Sequence, residues 1–230
     1  MRKDERMNFD ADFIEAARDY RLLLDRGYPV DASIKLTGDR YRLDKAERMV
    51  LFRGVLPVIL SRANALRRAV SVPRDSRMAV DGYNILFTIT NYLRGHPLFI
   101  STDGFLRDAG GAHGRVADAA QFYAAIDELC GNLALLEVTQ ATFFLDAPIP
   151  RSAEHAEALR KALAHRDIAG EVILVPSADG FVSAWKDGMI ATSDSAIIAK
   201  ANAPAFDLAR HILETRYAAE FVDLSVVVAE

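Results

Sequence analysis

The chain has 230 residues, of which 51% are hydrophobic and 26% charged, so it can bury the core of one large or two small globular domains. Its single cysteine, Cys130, excludes an internal disulfide, and no Cys and His residues show the spacing of a zinc site. The charged N-terminus lacks the apolar core of a signal peptide, and no run of about 18 apolar residues suggests a membrane span. We therefore expect a soluble, cytoplasmic protein without a membrane partner.

The net charge of −4 is distributed unevenly along the chain. Residues 1–80 carry 17 Lys and Arg against 12 Asp and Glu, whereas residues 81–230 carry 11 against 20. This asymmetry favours a basic module that holds a polyanion and an acidic module that works through cations. The alternative is that the basic part is only a solvated helical surface.

The first part of the chain, residues 1–72, is predicted to be a helical, basic domain. Apolar residues recur at helical spacing from Phe13 to Leu24, and a glycine follows at position 27. The stretch 27–43 contains a proline and a second glycine, so it is predicted to be a connector.

A second helical stretch follows this connector. Asp44 and Glu47 match a capping box, which predicts a helix start. Pro57 is expected to kink or restart that helix. The stretch 71–77 has the composition of a linker, and we place the domain boundary there.

From residue 78 the pattern changes to short apolar runs that alternate with helical stretches. The runs are MAVDG, PLFISTDG, ATFFLDAP, EVILVPSAD and GMIATSD, and a last strand is expected in FVDLSVVV. Helices are predicted at 83–93, 116–131, 152–166, 195–201 and 204–218. This alternation predicts an α/β domain over residues 78–230, with a mostly parallel central sheet flanked by helices.

Aspartates stand where several of these apolar runs end. Asp81, Asp103, Asp146 and Asp194 each come just after a run, and Asp179 follows EVILVP by a few residues. In parallel sheets, ligand sites form outside the carboxyl ends of the strands. Like charges about 4 Å apart cost on the order of 4 kcal/mol per pair, so a converging cluster needs protonation, basic partners or a divalent cation. Oxygen ligands suit Mg²⁺ or Mn²⁺, which in turn suit phosphodiester hydrolysis.

Four of these five aspartates also have an ordinary structural explanation. Asp194 could be only a helix N-cap, Asp81 and Asp103 only turn residues, and Asp146 only the end of a strand. The recurrence of acids at equivalent ends of alternating elements favours the metal site.

Three motifs in order, VDGYN, ADGF and IATSDSAII, resemble the NYN branch of the PIN-like nucleases. The resemblance covers roughly residues 78–200. It implies metal-binding acids at Asp81, Asp179 and Asp194, and Asp146 after TFFLD matches a further acid. Around these ligands, the residues expected to orient carboxylates or water are Asn84, Thr192, Ser193 and Asp103.

The first 70 residues resemble a different family. The stretches LLLDRGYP and GDRYRLDKAERMVLFRG are similar to the family called domain of unknown function 434. That resemblance implies no mechanism.

One stretch departs from the PIN-like pattern. STDGFLRDAGGAHGR is longer and richer in glycine than expected between the first two helices of such a domain. Its backbone amides could approach a phosphate, and His113 could assist proton transfer. A mobile surface loop with an exposed histidine is the alternative.

The basic N-terminal part supplies candidates for nucleic-acid binding. Arg40, Arg42, Arg48 and Arg53 are predicted to hold a phosphate backbone, and Tyr41 to stack on a base. The alternative is a helical surface packed against the second domain.

The predicted function is hydrolysis of nucleic-acid phosphodiesters by a Mg²⁺- or Mn²⁺-dependent nuclease, in which the attacking group is a metal-bound water. RNA is the expected partner because most relatives in the resemblance act on RNA. A non-catalytic RNA- or protein-binding module with a degenerate site is the main alternative, and a structural or toxin–antitoxin-like role and a homo-oligomer also stay open. A phosphatase with an aspartate nucleophile is disfavoured, because Asp81-Gly82-Tyr83 lacks the second aspartate that such enzymes use.

Overall fold

The computed structural model of the protein describes residues 9–110, 116 and 118–228. His113 and the glycines at positions 111 and 114 lie outside the described residues, so the predictions for them stay predictions.

The chain forms two compact units whose segments alternate along the sequence. The first unit comprises Met1–Leu66, Gly95–Gly111 and Glu220–Glu230. The second unit comprises Arg67–Arg94 and Ala112–Ala219.

The first unit begins with a set of helices. These are α1 (Ala11–Asp25), α2 (Val30–Arg40), α3 (Lys45–Gly54) and α4 (Val58–Arg67). The apolar face predicted from Phe13 to Leu24 is buried in this unit's core, together with Val50 and Leu51 of α3. The helical prediction for this part of the chain is therefore confirmed.

The connector predicted at 27–43 is wrong, because most of it is helix α2. Pro29 stands at the N-cap. An N–H at that position makes no hydrogen bond within the helix, so the helix loses nothing by having proline there. The Ser33 and Thr37 hydroxyls donate to carbonyls one turn earlier, at 2.9 and 2.8 Å, which satisfies their polar groups inside the unit. Gly38 serves packing and not a turn, since a Cβ there would lie 2.4 Å from the Arg48 guanidinium.

The predicted capping box is confirmed at the start of α3. The Asp44 carboxylate accepts from the Glu47 N–H at 2.9 Å, and the Glu47 carboxylate accepts from the Asp44 N–H at 2.7 Å. Pro57 acts as predicted, because α3 ends at Gly54 and a new helix begins just after the proline.

A small sheet completes the first unit. It consists of β3 (Leu98–Ile100), β4 (Leu106–Asp108) and β9 (Val222–Asp223), in the order β4-β3-β9. The strand predicted in FVDLSVVV is thus only two residues long, and it is followed by the short helix α11 (Leu224–Val227). The Asp223 carboxylate caps this helix by accepting from the Ser225 N–H at 2.8 Å, which ends the strand.

The second unit contains a six-stranded, wholly parallel sheet. Its strands are β1 (Arg68–Ala69), β2 (Arg77–Asp81), β5 (Gln140–Asp146), β6 (Ala169–Val175), β7 (Met189–Ala191) and β8 (Ala205–Phe206). Their order is β1-β8-β7-β2-β5-β6. The flanking helices are α5 (Gly82–Leu93), α6 (Ala119–Leu135), α7 (Ser152–Ala164), α8 (Ala178–Ser183), α9 (Ser195–Lys200) and α10 (Leu208–Tyr217). The prediction of an α/β fold with an N-terminal helical region is confirmed.

The strand order creates a topological switch point beside β2. The chain runs from β2 outward to β5 and β6, and then returns to place β7 on the other side of β2. Right-handed crossovers put α8 and α9 on the face of the sheet opposite to α5 and α7. Connections therefore diverge above the carboxyl ends of β2 and β7, where open α/β sheets bind ligands.

No single helix among the described residues is long and apolar enough to cross a membrane. The bent pair of α3 and α4, which meet at 64°, reaches the required length and composition only when the two are counted together.

Candidate functional site

Asp81 ends the central strand β2 and is 5% exposed. The next residue, Gly82, begins α5 directly, without an intervening loop. A Cβ at Gly82 would run into the Leu145 side chain and lie 3.3 Å from the Phe144 carbonyl oxygen, so a larger residue would force Leu145 to move where α5 starts against β5. The stretch VDGYN therefore places a buried carboxylate and the first turn of a helix at one strand end.

Tyr83 and Asn84 of the motif have separate roles. Tyr83 packs in the core against Phe87 and Phe122, and its hydroxyl is 2.9 Å from His155 Nδ1. Asn84 lies in the first turn of α5, and its Oδ1 is an acceptor for the segment that follows β7. Tyr83 holds the helix in place, whereas Asn84 belongs to the site.

Hydrogen bonds connect the ends of β2 and β7 across the switch point. Thr192 Oγ1 donates to Asp81 Oδ2 at 2.8 Å. The Ser193 N–H and hydroxyl both donate to Asn84 Oδ1, at 2.9 and 3.1 Å. The structure thus brings together Asn84, Thr192 and Ser193 with Asp81, as the sequence motifs suggested.

Asp194 and Asp146 each use one carboxylate oxygen to fix a helix start. Asp194 Oδ1 accepts from the N–H groups of Ala196 and Ile197, at 2.7 and 3.1 Å, so Asp194 is the N-cap of α9. Asp146 Oδ1 accepts from the Ala178 N–H at 3.0 Å, at the first residue of α8. The cap role expected for Asp194 is therefore present, and it leaves Oδ2 without a bond in the described part of the chain.

Asp81, Asp146, Asp179 and Asp194 lie within electrostatic reach of one another, and we call them the acidic cluster. The pKa of Asp81 is raised to about 7, chiefly by burial; the hydrogen bond from Thr192 opposes this rise, and the charges of the other three acids add to it. Burial also raises the pKa of Asp179, and the charges of Asp194 and Asp146 act in the same direction. The acids predicted from the strand ends thus influence one another in the fold.

The acidic cluster has little positive charge to balance it. Lys200 is the one cation among the described residues that lowers either of these two raised pKa values, and it acts on Asp179. No group of three or more His, Cys, Asp or Glu side chains in the described ranges is arranged so that it could hold a metal ion as it stands. The donor chemistry itself, carboxylate and hydroxyl oxygen without nitrogen or sulfur, fits Mg²⁺ or Mn²⁺.

Asp103 belongs to the first unit and not to this sheet. The strand before it, β3, lies in the small sheet, so the expectation that Asp103 ends at the same sheet edge as Asp81 is wrong. Its carboxylate accepts from Arg107 at 2.7 Å, from Asn64 at 3.0 Å and from the Ser101 hydroxyl. Burial alone would raise the pKa of Asp103, but the charge and hydrogen bonds of these neighbours lower it below its ordinary value.

Two of the four predicted nucleic-acid-binding arginines are held by contacts inside the first unit. Arg53 donates to the Asp108 carboxylate at 2.9 Å and to its carbonyl at 3.0 Å. Arg48 donates to the Leu43 carbonyl and to the Asp39 carboxylate, both at 2.9 Å. Both side chains therefore have structural partners.

Of the remaining candidates, Arg40 and Arg42 are exposed, whereas Tyr41 is half-buried against the core of the first unit. The guanidinium carbon of Arg40 lies 5.3 Å from the centre of the Tyr41 ring, and its Nε lies 3.7 Å from the Asp19 carboxylate. The Tyr41 hydroxyl donates to Asp19 at 2.8 Å. Arg42 is exposed and has a left-handed backbone, with φ of 55°. A role of these residues in binding nucleic acid stays a prediction.

Aromatic residues next to the acidic cluster were missed at the level of the sequence. Phe144 lies on β5 two residues before Asp146, and Phe181 and Trp185 lie on and just after α8. They line a cavity of about 540 Å³. The available signal was the spacing of Phe181 and Trp185, which are four residues apart and so share one face of a helical turn.

The comparisons with known proteins match two families along the chain. The family described as "Protein of unknown function (DUF434)" matches residues 12–69, which confirms the resemblance of the first helices. A protein of Methanocaldococcus jannaschii named "Uncharacterized protein MJ0935" is 25% identical over 191 residues, which cover 82% of this chain and 89% of that protein. No solved structure matches the chain. The family described as "Domain of unknown function (DUF5616)" matches residues 71–211, more than half of the chain, and the protein belongs to this family.

Proposed function

We propose that the second unit is a divalent-cation-dependent hydrolase of nucleic-acid phosphodiesters, with RNA as the preferred substrate. The observation that carries the proposal is the acidic cluster at the switch point of a parallel sheet. The charges of the neighbouring acids raise the pKa of Asp81 and of Asp179, and Lys200 alone among the described cations opposes this. Such unbalanced carboxylates are costly for the fold, and a bound cation would remove that cost.

The four residues of the cluster would coordinate Mg²⁺ or Mn²⁺ together. Asp81 would be the central ligand, because it is the most buried of the four and its Oδ2 is fixed by Thr192. Asp146, Asp179 and Asp194 would complete the set from β5, α8 and the end of β7. A bound ion of this kind polarises a phosphoryl oxygen and makes water a stronger nucleophile at neutral pH.

Asn84 and Ser193 would keep the two strand ends in register during binding. The paired hydrogen bonds from Ser193 to Asn84 Oδ1 hold the turn that carries Asp194 against the start of α5. Residues of this kind, which touch ligands without being ligands, commonly alter metal affinity or activity by about 10- to 100-fold when they are replaced.

Two sequence features support nucleic acid, and RNA in particular, as the substrate. The ordered motifs VDGYN, ADGF and IATSD resemble those of NYN-type PIN-like nucleases, most of which act on RNA. The first 80 residues carry an excess of basic side chains, and Arg40 and Arg42 are exposed there. A basic surface attracts a phosphate backbone irrespective of its sequence.

A cleavage assay with the whole chain tests the proposal. A single-stranded RNA and a DNA of the same sequence, labelled at one end, are incubated with Mn²⁺, Mg²⁺ or EDTA. We expect cleavage of RNA that requires the cation and falls by at least about a hundredfold in Asp81→Asn. Asp127→Asn is the matched control, because Asp127 is an exposed carboxylate of the same unit that pairs with Arg166.

Other outcomes of this assay have clear meanings. Equal cleavage by Asp81→Asn and wild type, or cleavage that persists in EDTA, would contradict the proposal. Cation binding measured by calorimetry without any cleavage would favour the non-catalytic binding module instead.

A further inference from the structure

An aromatic pocket lies beside the acidic cluster in the second unit. Its walls are formed by Phe144, Phe181 and Trp185, with Lys186 and Asp187 at its edge, and its volume is about 540 Å³. This volume lies within the roughly 300–1,000 Å³ that is usual for sites that bind small ligands.

The pocket and the acidic cluster share the same two elements. Phe144 and Asp146 are two residues apart on β5, so their side chains point to the same face of the sheet. In the pairing of β2 with β5, Asp81 lies opposite Phe144. Phe181 follows Asp179 by two residues on α8, so these two side chains lie on different sides of that helix. The Phe144 wall is therefore the part of the pocket that adjoins Asp81 and Asp146.

The rings of the pocket are held in place by their own contacts. Phe144 and Phe181 stack with centroids 5.4 Å apart and an interplanar angle of 24°, and Phe144 meets Trp185 edge-on at 6.3 Å. The indole N–H of Trp185 donates to the Asp187 carbonyl at 2.8 Å, which satisfies its polar group within the chain. The indole N–H of Trp185 therefore needs no hydrogen bond from a ligand, and a ligand can interact with the ring by stacking alone.

Phe181 has the geometry of a stacking platform. It is 48% exposed although one face of its ring rests on Phe144. Leaving a large aromatic side chain half in water has a hydrophobic cost that a stacked ligand would remove. Flat heteroaromatic rings stack on such platforms regardless of their hydrogen-bonding pattern, as the bases of single-stranded nucleic acids do.

We infer that this aromatic pocket is a subsite for one unpaired nucleobase, which stacks on Phe181 and Trp185 while the adjoining phosphodiester lies at the acidic cluster. The inference rests on the proposed function, since it assigns the pocket to the substrate of that site. The substrate class that follows is single-stranded nucleic acid, because a paired base cannot enter the pocket without leaving its helix.

Trp185 provides a direct test, because it is the single tryptophan of the chain. Its fluorescence is titrated with adenosine 5′-monophosphate and with ribose 5-phosphate, in Mg²⁺ and in EDTA. Neither probe contains a phosphodiester, so cleavage cannot consume it. We expect quenching by the nucleotide and none by the sugar phosphate, which carries the same charge but has no base.

The variant Phe181→Leu keeps an apolar side chain but removes the stacking ring. Its affinity for the nucleotide should fall by about 5- to 150-fold, the range that corresponds to the worth of one stacked base. Phe52→Leu is the matched control, since Phe52 is a phenylalanine of the first unit with 51% exposure. The control should bind the nucleotide as wild type does.

Two results would overturn the inference. The first is equal quenching by the nucleotide and the sugar phosphate, or equal nucleotide affinity in Phe181→Leu and wild type. The second is emission that changes with protein concentration and not with nucleotide, which would assign the pocket to a contact between copies of the chain.

The test also separates this inference from the proposed function. Base-dependent quenching in a protein that neither binds cations nor cleaves RNA would support the nucleobase subsite and contradict the proposed hydrolase. Cation-dependent cleavage without base-dependent quenching would support the hydrolase and contradict the subsite.

Discussion

In the first unit, Asp103 is buried against the guanidinium of Arg107, and its pKa lies below the ordinary value. In the second unit, Asp81 is buried beside three further carboxylates, and its pKa is raised to about 7. Both side chains are at most 5% exposed. The difference between them therefore comes from the neighbours and not from burial.

A structural carboxylate differs from a functional one in whether its neighbours balance its charge. The first unit matches each buried acid to a cation, since Arg53 also pairs with Asp108 there. Such pairs need no ligand, because their charge is already balanced. The acidic cluster of the second unit stays unbalanced within the described part of the chain, and this imbalance is the property that a binding site for a cation requires.

The largest expected effect comes from breaking the balanced pair. Arg107→Met removes the guanidinium and leaves Asp103 buried without its charge partner, which should lower the free energy of unfolding of the first unit by about 3–5 kcal/mol. Native-state hydrogen exchange at the amides of the first unit measures this loss. Arg40→Met, at the exposed pair with Asp19 in the same unit, is the control and should cost far less stability than Arg107→Met. Similar losses in the two variants would mean that the buried pair is no more important than a surface pair.

A second effect, of opposite sign, is expected from Asp81→Asn without metal. In the folded state the pKa of Asp81 is about 7, against an ordinary 3.8, so between these values the folded state binds more protons than the unfolded state. Wild-type stability should therefore fall as the pH rises from about 4 to about 7 and level off above, by at most on the order of 4 kcal/mol.

Urea unfolding followed by Trp185 emission measures this stability, because the tryptophan lies in the second unit. Asp81→Asn has no charge to bury, so its curve should lack the fall, and the variant should be more stable than wild type at pH 8 in EDTA. Parallel pH profiles for the two proteins would contradict an unbalanced cluster.

A bound cation should turn the unbalanced cluster into a balanced one. At a hundredfold excess over its Kd, Mn²⁺ should stabilise the folded state by about 2.7 kcal/mol. A unit of this size then melts roughly 5–11 °C higher, at about 2–4 °C per kcal/mol. Because the cation competes with the proton on Asp81, the shift should grow as the pH rises through about 7. Thermal scans in Mn²⁺ and EDTA at pH 6 and pH 8 measure this, and a shift that does not depend on pH would place the ion elsewhere.

The smallest expected effect separates the two roles of Asp194. Its carboxylate caps α9, and loss of a cap costs about 1 kcal/mol. The Asp194 carboxylate also repels Asp81. In EDTA, the free energy of unfolding of Asp194→Ala should therefore fall by less than about 1 kcal/mol, or rise. The variant should show a smaller Mn²⁺ shift than wild type in thermal scans. Asp207→Ala, at the N-cap of α10, is the comparison for a cap outside the cluster. If Asp194→Ala loses as much stability as Asp207→Ala and keeps the full Mn²⁺ shift in melting temperature, Asp194 is only a helix cap.

The positions of the clustered acids could be predicted because they follow from local patterns. Asp81, Asp146 and Asp194 each come after an apolar run, and strands joined by helices are parallel, so their carboxyl ends meet. Asp103 follows a run that looks the same in sequence. Its strand β3 pairs instead with β4 and with β9, more than a hundred residues later along the chain, and no local pattern specifies such a partner.

Two further features depend on contacts between distant residues and so escaped prediction. Gly38 resembles a helix terminator in sequence, but the Arg48 side chain fills the space beside it. The aromatic pocket forms only when α8 lies over β5, which brings Phe181 onto Phe144. Periodicity predicts which face of a helix or strand is buried, but it does not predict which distant residues pack against that face.

The pairing of β3 with β9 has a consequence for the order in which the protein folds during synthesis. Phe99 pairs with Val222, and Leu224 lies in the core of the first unit. The parallel sheet of the second unit, by contrast, has all its strands once Phe206 has left the ribosome. Chains usually complete their N-terminal part first as they emerge. In this protein the N-terminal helices belong to a unit that also needs residues synthesised near the end of the chain. The second unit can therefore complete its fold before the first unit does.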